Sequence, residues 1–259
     1  MRHATLRDLV NHIVEEEVKA SGIPFRLPAP VASCDARDPL WKELKSSHPW
    51  MKVPEELLPE ARGVVVFALP ISLEAVMSNI KGEDPSLEWL RDYVIANEVL
   101  WRAAIRLASI LEDYGYRTLA MRPTHDFDRE SLKASWSHRH AGFVCGLGTF
   151  GLNNLLITAM GCAVRLNSII TEASVEEGPR PEFEYCLARR DRECNACLRR
   201  CPVGALDDWS LRKRRCYEKL LESAEKASSI GYVASACGKC STGVPCSTGV
   251  PLYGNRNLR

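Results

Sequence analysis

Eight of the eleven cysteines in the chain fall within its last 74 residues, 186 to 259. They are Cys186, Cys194, Cys197, Cys201, Cys216, Cys237, Cys240 and Cys246. Clustered thiols form disulfides, zinc sites or iron–sulfur clusters, and each of these requires the cysteines to meet in space. The chemistry of these cysteines therefore constrains the fold of this segment more than any other feature.

Composition and the amino terminus argue against disulfides. The chain has 259 residues, 46% of them hydrophobic, and a net charge of +1, which is typical of a globular protein without general attraction to nucleic acid or anionic lipid. Its first residues carry many charges and lack the apolar segment of a secretion signal. The uncharged stretch from 141 to 164 contains five glycines, which disfavours a membrane span. We therefore expect a cytoplasmic protein with reduced thiols and no membrane association.

A proline separates the zinc alternative from the iron–sulfur alternative. In the bacterial ferredoxin pattern CxxCxxCxxxCP, three cysteines ligate one [4Fe-4S] cluster and the fourth, before the proline, ligates the other cluster. Cys194, Cys197 and Cys201, which precedes a proline, match the last three positions. The first position holds Asp191, and Cys186 is the nearest cysteine that could replace it.

Exchange of ligands between the two halves, as in ferredoxins, divides the eight cysteines into two sets. We expect one cluster on Cys186, Cys194, Cys197 and Cys246, and the other on Cys201, Cys216, Cys237 and Cys240. Two zinc sites would use the same thiols, and one cluster with a zinc or vacant site is the remaining alternative. We expect the other three cysteines to be buried as small apolar residues: Cys34, Cys145 and Cys162.

Hydrophobic periodicity predicts an α/β domain before the cysteines. An amphipathic helix capped by Thr5 begins the chain, and "GVVVFALPI" at 63 to 71 predicts a strand buried on both faces. An apolar stripe from 89 to 114, ended by Gly115, predicts a long helix, and "YRTLAM" at 116 to 121 predicts a second strand. Strand, helix and strand in this order favour parallel pairing of the two strands.

A further helix is predicted from 128 to 145, followed by the loop "GLGTFGLNN" and two strands, "LLIT" and "NSIIT", that complete the sheet. Between 173 and 185 the sequence becomes rich in glutamate, proline and glycine, which is typical of a domain boundary. We therefore predict an α/β domain over 1–175, with a helical lead-in at 1–56, and a cysteine-rich domain over 176–259.

The sequence "GLGTFG" at 146 to 151 fits the GxGxxG pattern of dinucleotide-binding loops, but its context does not. A dinucleotide site needs a strand before the glycines and a helix after them. Here a helical segment precedes the glycines and a strand-like segment follows them. We expect a close backbone approach or a tight turn at this position instead.

The segment "WSHRHAGFVCGLGTFGLNNLLIT" at 136 to 158, followed by the cysteine module, resembles the epoxyqueuosine reductase family, whose relatives include the corrinoid reductive dehalogenases. The resemblance implies a nitroreductase-like α/β domain that binds cobalamin, followed by a bacterial-type ferredoxin domain with two [4Fe-4S] clusters. In that family, electrons pass from cluster to cluster to cobalt. The chain resembles a short form, since its end at Arg259 leaves no room for the helical-repeat domain of the tRNA-modifying enzymes. This argues against a tRNA substrate.

The same resemblance implies roles for individual residues. The family's glycine loop beside the corrin corresponds to Gly146, Gly148, Thr149 and Gly151. Arg139 corresponds to the arginine of a Glu-Arg pair, and His138 replaces the glutamate. The family's acidic proton donor lies upstream, where Asp126 and Asp128 are the nearest candidates. His138 is interpreted either as an acid or phosphate partner near the corrin or as an ordinary hydrogen-bonded histidine.

The leading hypothesis is an anaerobic, cytoplasmic reductase that relays single electrons through two [4Fe-4S] clusters to a corrinoid. It would reduce a small molecule or reactivate a partner corrinoid protein, with electrons from a donor of the ferredoxin or flavodoxin type. Basic residues flank the cysteines at Arg189, Arg190, Arg199, Arg200 and "RKRR" at 212 to 215. They are interpreted as compensating the charge of anionic clusters, as a docking site for an acidic donor or as plain solvated surface. Two alternatives remain open: a ferredoxin-like electron carrier whose α/β domain is a docking platform, and a flavin-dependent variant.

Overall fold

A computed structural model of the chain describes residues 5–123, 127–190, 193–207 and 210–251. The helices in these ranges are α1 (Leu6–Ser21), α2 (Pro39–Ser47), α3 (Pro54–Leu57), α4 (Leu73–Ser78), α5 (Leu87–Asp113), α6 (His138–Val144), α7 (Ala196–Arg200) and α8 (Lys213–Ser228). The strands are β1 (Val31–Asp35), β2 (Gly63–Pro70), β3 (Thr118–Ala120), β4 (Phe127–Asp128), β5 (Lys133–Ala134), β6 (Gly148–Phe150), β7 (Leu156–Thr158), β8 (Val164–Thr171), β9 (Leu206–Asp207) and β10 (Ser210–Leu211). Among the described residues, no helix combines the length and apolar character needed to cross a membrane.

The chain folds into two compact units that are interleaved in sequence. The first unit consists of Met1–Leu69, Ile95–Leu147 and Arg165–Arg180, and the second of Pro70–Val94, Gly148–Val164 and Pro181–Arg259. The domain limits 1–175 and 176–259 remain a prediction; one of several changes of unit along the chain follows Arg180. The cysteine-rich segment, however, shares its unit with two earlier stretches of the chain.

The first unit contains a four-stranded sheet with the strand order β1-β2-β8-β3. β1 pairs antiparallel with β2, with Val31 opposite Phe67, and β3 pairs antiparallel with β8, with Leu119 opposite Ile170. All of β2 is buried, as predicted for a strand covered on both faces. The predicted pairing of β2 with β3 is wrong, because β8, which comes later in the chain, lies between them.

Two predicted helices form where their local signals place them. α1 begins at a capping box between Thr5 and Asp8 and buries Ile13 among other apolar residues. α5 ends two residues before Gly115, whose φ of +88° is accessible to glycine without strain. One residue of the predicted apolar stripe, Ile105, is 45% exposed.

The helix predicted from 128 to 145 is largely wrong. Only its last part forms α6, and β4 and β5 pair as a short hairpin before it. The Asp128 side chain accepts a hydrogen bond from the Ser131 backbone N–H at 2.6 Å, which favours a turn over a helix at that point. The predicted glycine loop is a hairpin of β6 and β7, with Gly148 opposite Thr158.

A disulfide in the first unit joins Cys34 of β1 to Cys145 at the end of α6. Their Cα atoms lie 4.7 Å apart, although 111 residues separate them in sequence. The expectation that these two cysteines are isolated, reduced thiols is therefore wrong. Their burial is as expected, and Cys162, the third cysteine of that group, is a buried free thiol.

Candidate functional site

Four cysteines of the second unit line one pocket. They are Cys186, Cys194, Cys197 and Cys246, the set that the ferredoxin pattern groups together. Apart from Asn153, the remaining lining residues are glycine, proline or apolar: Gly151, Leu152, Leu187, Ala196, Val244, Pro245 and Pro251. Thiols are therefore the main metal-binding groups of this pocket.

Separate stretches of the chain bring these cysteines together. Cys186 precedes a 3₁₀ turn at Leu187–Arg190, and Cys194 and Cys197 lie on either side of the start of α7. Cys246 is fixed by backbone pairing, since the Cys162 N–H donates to its carbonyl oxygen at 2.9 Å. The contact between Cys162 and Cys246, which are 84 positions apart in the chain, therefore holds Cys246 at the pocket.

The surroundings of Cys194, Cys197 and Cys246 raise the pKa of each thiol and so favour its protonated form. Desolvation raises the pKa of Cys197 to about 12, with further contributions from Cys246, Cys194 and Cys186. A hydrogen bond with Cys162, followed by burial, raises the pKa of Cys246. A thiolate forms in such a site when a cation or metal centre compensates its charge.

The other four predicted ligands form a second group in the same unit. Burial raises the pKa of Cys240, and the charges of Cys216, Cys237, Cys197 and Cys201 raise it further. Cys216 lies in α8, whereas Cys237 and Cys240 belong to the "CGKC" sequence that enters a 3₁₀ turn at Lys239–Ser241. Because Cys197 belongs to the first group, the two groups are electrostatic neighbours.

In the part of the chain that the structure describes, no three His, Cys, Asp or Glu side chains converge on a point where they could hold a single metal ion. A cubane cluster does not require such convergence, because each thiolate binds a different iron. The chemistry of the donor sets, four thiols in each, fits [4Fe-4S] ligation.

Asn153 connects the two cysteine groups, and nothing in its local sequence marks it for this role. Its Nδ2 donates to the Cys240 carbonyl oxygen at 2.9 Å and lies 3.7 Å from the Cys162 sulfur. Its Oδ1 accepts from the Leu155 N–H at 3.2 Å. The Cys162 sulfur in turn lies 3.8 Å from the Cys246 sulfur. Asn153 is therefore a polar anchor between the β6–β7 hairpin and the cysteine segments.

Lys239, inside "CGKC", is also absent from the predicted site residues. Its side chain is buried, and its Nζ donates to the carbonyl oxygens of Asn79 at 2.9 Å and Lys81 at 2.7 Å. Burial raises the pKa of Cys237, while a hydrogen bond from the Lys239 backbone and the positive charge of Lys239 lower it. Lys239 thus favours the thiolate form of an adjacent predicted ligand.

The glycine-loop residues are explained by packing within their own units. A Cβ on Gly148 would collide with the Ile157 carbonyl oxygen across the hairpin, and a Cβ on Gly151 would lie 2.6 Å from Asn153 Oδ1. Gly146 has a φ of +79°, where side chains other than hydrogen are strained. Thr149 Oγ1 accepts from the backbone N–H next to Cys186 at 2.8 Å. The tight-turn interpretation of these glycines is therefore sufficient.

His138 has hydrogen bonds at both ring nitrogens. Its Nδ1 lies 2.9 Å from Ser168 Oγ and its Nε2 lies 3.0 Å from the Arg122 carbonyl oxygen. Because that carbonyl can only accept, Nε2 carries the proton and Nδ1 accepts from the serine. Burial lowers the His138 pKa to about 4, so the ring is neutral near pH 7. These contacts favour the ordinary hydrogen-bonded histidine over the acid or phosphate partner.

The positions of the other predicted side chains in this region give less evidence about their roles. Arg139 follows His138 in α6 and is partly buried. Asp128 is exposed, and its hydrogen bonds to Ser131 and Glu130 lower its pKa. It is therefore ionised near neutral pH and stabilises a turn. Asp126 lies outside the described residues.

No protein-family model matches the chain, and no curated protein matches it. Solved structures do match. An epoxyqueuosine reductase from Bacillus subtilis is 21% identical, with a TM-score of 0.55, and the match covers 94% of this chain and 68% of that one. An epoxyqueuosine reductase with a modified tyrosine-tRNA stem loop is 22% identical, with a TM-score of 0.56 and the same coverage.

A reductive dehalogenase whose structure suggests a mechanism for B12-dependent dehalogenation is 17% identical, with a TM-score of 0.57. The match covers 88% of this chain but 30% of the dehalogenase. At these identities the comparison establishes the fold. The chain therefore has the fold shared by epoxyqueuosine reductases and reductive dehalogenases, as its sequence resemblance implied.

Proposed function

We propose that this protein is an iron–sulfur reductase with two [4Fe-4S] clusters that delivers single electrons to a corrinoid. Cys186, Cys194, Cys197 and Cys246 would hold one cluster, and Cys201, Cys216, Cys237 and Cys240 the other. The observation that carries the proposal is that the first four cysteines line one pocket together. Cysteines that served only as scattered apolar residues would not be expected to place four thiols in one pocket.

The clusters would supply one-electron transfer. The surrounding residues would control access of water to the clusters and hold their cysteine ligands in position. The apolar lining of the first pocket excludes water from the sulfurs. Thr149 holds the chain entering Cys186, and Asn153 holds the carbonyl of Cys240. These contacts fix the ligands before assembly, so less order has to be gained when a cluster binds.

The corrinoid acceptor is proposed from the fold likeness to a B12-dependent dehalogenase. The substrate would be a small molecule or the cobalt of a partner corrinoid protein, with a ferredoxin- or flavodoxin-type protein as donor. One similar structure contains a tRNA stem loop, so tRNA belongs among the substrates to be tested despite the sequence argument against it. A cytoplasmic, oxygen-poor setting is part of the proposal, because oxygen damages many iron–sulfur clusters.

An electron carrier without a corrinoid is the second candidate, and specific contacts favour it. Gly148 and Gly151 pack within the β6–β7 hairpin, and both nitrogens of His138 form hydrogen bonds inside the protein. None of these residues therefore needs a cofactor to explain its presence.

The first experiment is metal and sulfide analysis of protein prepared without oxygen, compared with two cysteine variants. We expect about eight iron and about eight sulfide per chain, falling to about four of each in C246A. C162A is the matched control, because Cys162 is buried and its sulfur is 3.8 Å from that of Cys246. Zinc in place of iron, four iron in the wild type, or equal loss of iron in C162A would contradict the ligand assignment.

The second experiment identifies the acceptor. Cluster-loaded protein is mixed with cobalamin or with flavin, passed through a gel-filtration column and examined by absorbance. Retention of cobalamin supports the reductase, retention of flavin supports the flavin variant, and retention of neither supports the carrier. A tRNA stem loop is then incubated with reduced, cobalamin-loaded protein. Chemical modification of the stem loop would show that tRNA is a substrate.

A further inference from the structure

Two cations of the second unit are packed against the same short segment of backbone. Lys239 is 1% exposed and donates to the carbonyl oxygens of Asn79 and Lys81. Arg200 donates from Nη1 to the Ile80 carbonyl oxygen at 2.9 Å and from Nε to the Thr242 carbonyl oxygen at 3.1 Å. Both side chains therefore bring positive charge to the segment from 79 to 81.

Neither cation is within ion-pair distance of a carboxylate among the described residues. Asp84, whose charge acts on Lys239 without forming an ion pair with it, is paired with Lys219 at 2.7 Å. Carbonyl dipoles compensate a buried ammonium only in part, and an uncompensated buried charge is strongly destabilising. A negative group close to Lys239 would therefore stabilise this arrangement.

The position of Lys239 identifies that group. It lies between Cys237 and Cys240, and its backbone N–H is directed at the Cys237 sulfur. A [4Fe-4S] core with four thiolates is anionic, and one-electron reduction makes it more negative. A fixed cation beside the cluster stabilises the reduced form more than the oxidised form.

We propose that Lys239 is a positioning residue whose ammonium group offsets the charge of the cluster on Cys201, Cys216, Cys237 and Cys240 and raises its reduction potential. This inference rests on the proposed function. The effect should be larger for this cluster than for the one at Cys186, Cys194, Cys197 and Cys246, because Lys239 lies between Cys237 and Cys240 in the chain and its charge acts on the Cys237 thiol. Lys239 would thereby make its own cluster the better electron acceptor of the two.

The test is a redox titration with dithionite, followed by electron paramagnetic resonance, on wild type, K239Q, K239R and K42Q. Glutamine keeps a hydrogen-bond donor but removes the charge, arginine keeps the charge, and Lys42 is an exposed lysine of α2. In K239Q we expect the reduced-to-oxidised ratio of one cluster to fall about tenfold at a fixed potential, which corresponds to about 59 mV for one electron. K239R and K42Q should match the wild type. Repeating K239Q in the C246A background assigns the shifted signal to the second cluster.

The outcomes separate this inference from the proposed function. If wild-type protein holds fewer than two clusters, the proposed function fails. If it holds two and K239Q shifts neither potential, or both equally, the role of Lys239 is refuted while the clusters stand. If K239Q does not assemble its second cluster, the test depends on K239R. Normal cluster assembly and a normal reduction potential in K239R support the role of the Lys239 charge. Loss of the second cluster in K239R as well overturns that role.

Discussion

Replacing His138 with glutamine should remove a specific sensitivity of folding to acid. Glutamine can donate to the Arg122 carbonyl oxygen and accept from Ser168, so H138Q retains the hydrogen-bonding pattern of the neutral ring. Unlike histidine, it cannot take up a proton in this range. The variant therefore isolates protonation from packing.

The sign and size of the effect follow from the two pKa values of the imidazole. Burial, the largest influence, lowers the His138 pKa from 6.5 in the unfolded chain to about 4 in the folded one. Between these values the unfolded chain binds more protons, so His138 supports folding fully above pH 6.5 and progressively less as pH falls toward 4. The loss is about 2 kcal/mol at about pH 5 and about 3 kcal/mol in full.

The assay is urea unfolding of wild type and H138Q at about pH 7 and about pH 5, without oxygen. The wild type should lose about 2 kcal/mol more than H138Q between the two conditions. Acid effects on other groups and on the clusters appear in both proteins and cancel in this comparison. Equal losses would mean that the imidazole is not buried in its neutral form, which would refute the hydrogen-bond assignment.

Three further predictions follow from packing and cysteine pairing. G148A should lower stability by more than about 2 kcal/mol, because its methyl group meets a carbonyl across the hairpin, whereas G249A, with open space around it, should leave the melting temperature nearly unchanged. N153A should destabilise the protein by about 1–3 kcal/mol by unfolding assay and reduce its iron content, since it leaves a buried cysteine carbonyl without its donor. Thiol labelling of denatured, cluster-free protein should find nine thiols before reduction and eleven after it, and eleven in both cases would contradict the Cys34–Cys145 disulfide.

Elements with strong local signals could be predicted from sequence. The capping box of Thr5 and Asp8 sets the start of α1, and the β-branched run from 63 to 70 forms the buried strand β2. The long apolar stripe ending before Gly115 forms α5. In each case, interactions between residues close together in the chain determine the conformation. The local sequence is therefore enough to predict these elements.

Pairings between distant residues could not be predicted in the same way. β8 lies between β2 and β3 although it follows both in the chain, and hydrophobic periodicity carries no information about such an insertion. The β4–β5 hairpin was missed because its strands have two residues each, too few to show alternation. The Cys34–Cys145 disulfide depends on the packing of β1 against the end of α6, which neither local sequence reveals.

In the candidate site, too, some features follow from local sequence and others depend on contacts between distant residues. The spacing of Cys194, Cys197 and Cys201 suggests the ferredoxin motif, whose exchange of ligands groups Cys246 with Cys194 and Cys197. The structure places Cys246 in the pocket that Cys194 and Cys197 line, while its role as a ligand stays a prediction. Asn153 and Lys239 could not be found from spacing, because their importance comes from carbonyl groups that reach them through folding. A lysine between two closely spaced cysteines is a weak signal by itself.

If the chain holds the two proposed clusters, charge balance makes the clusters and the surrounding fold depend on each other. Lys239 and Arg200 bring two positive charges to carbonyl groups of the 79–81 segment, without a carboxylate partner among the residues that the structure describes. Without an anion these charges repel each other and strain the region, and without the cations a buried anionic cluster lacks compensation. Cluster assembly would therefore stabilise the fold of the second unit as well as give it redox activity. Selection for electron transfer and selection for stability would then act on the same side chains, which accounts for a fully buried lysine in a site of cysteines.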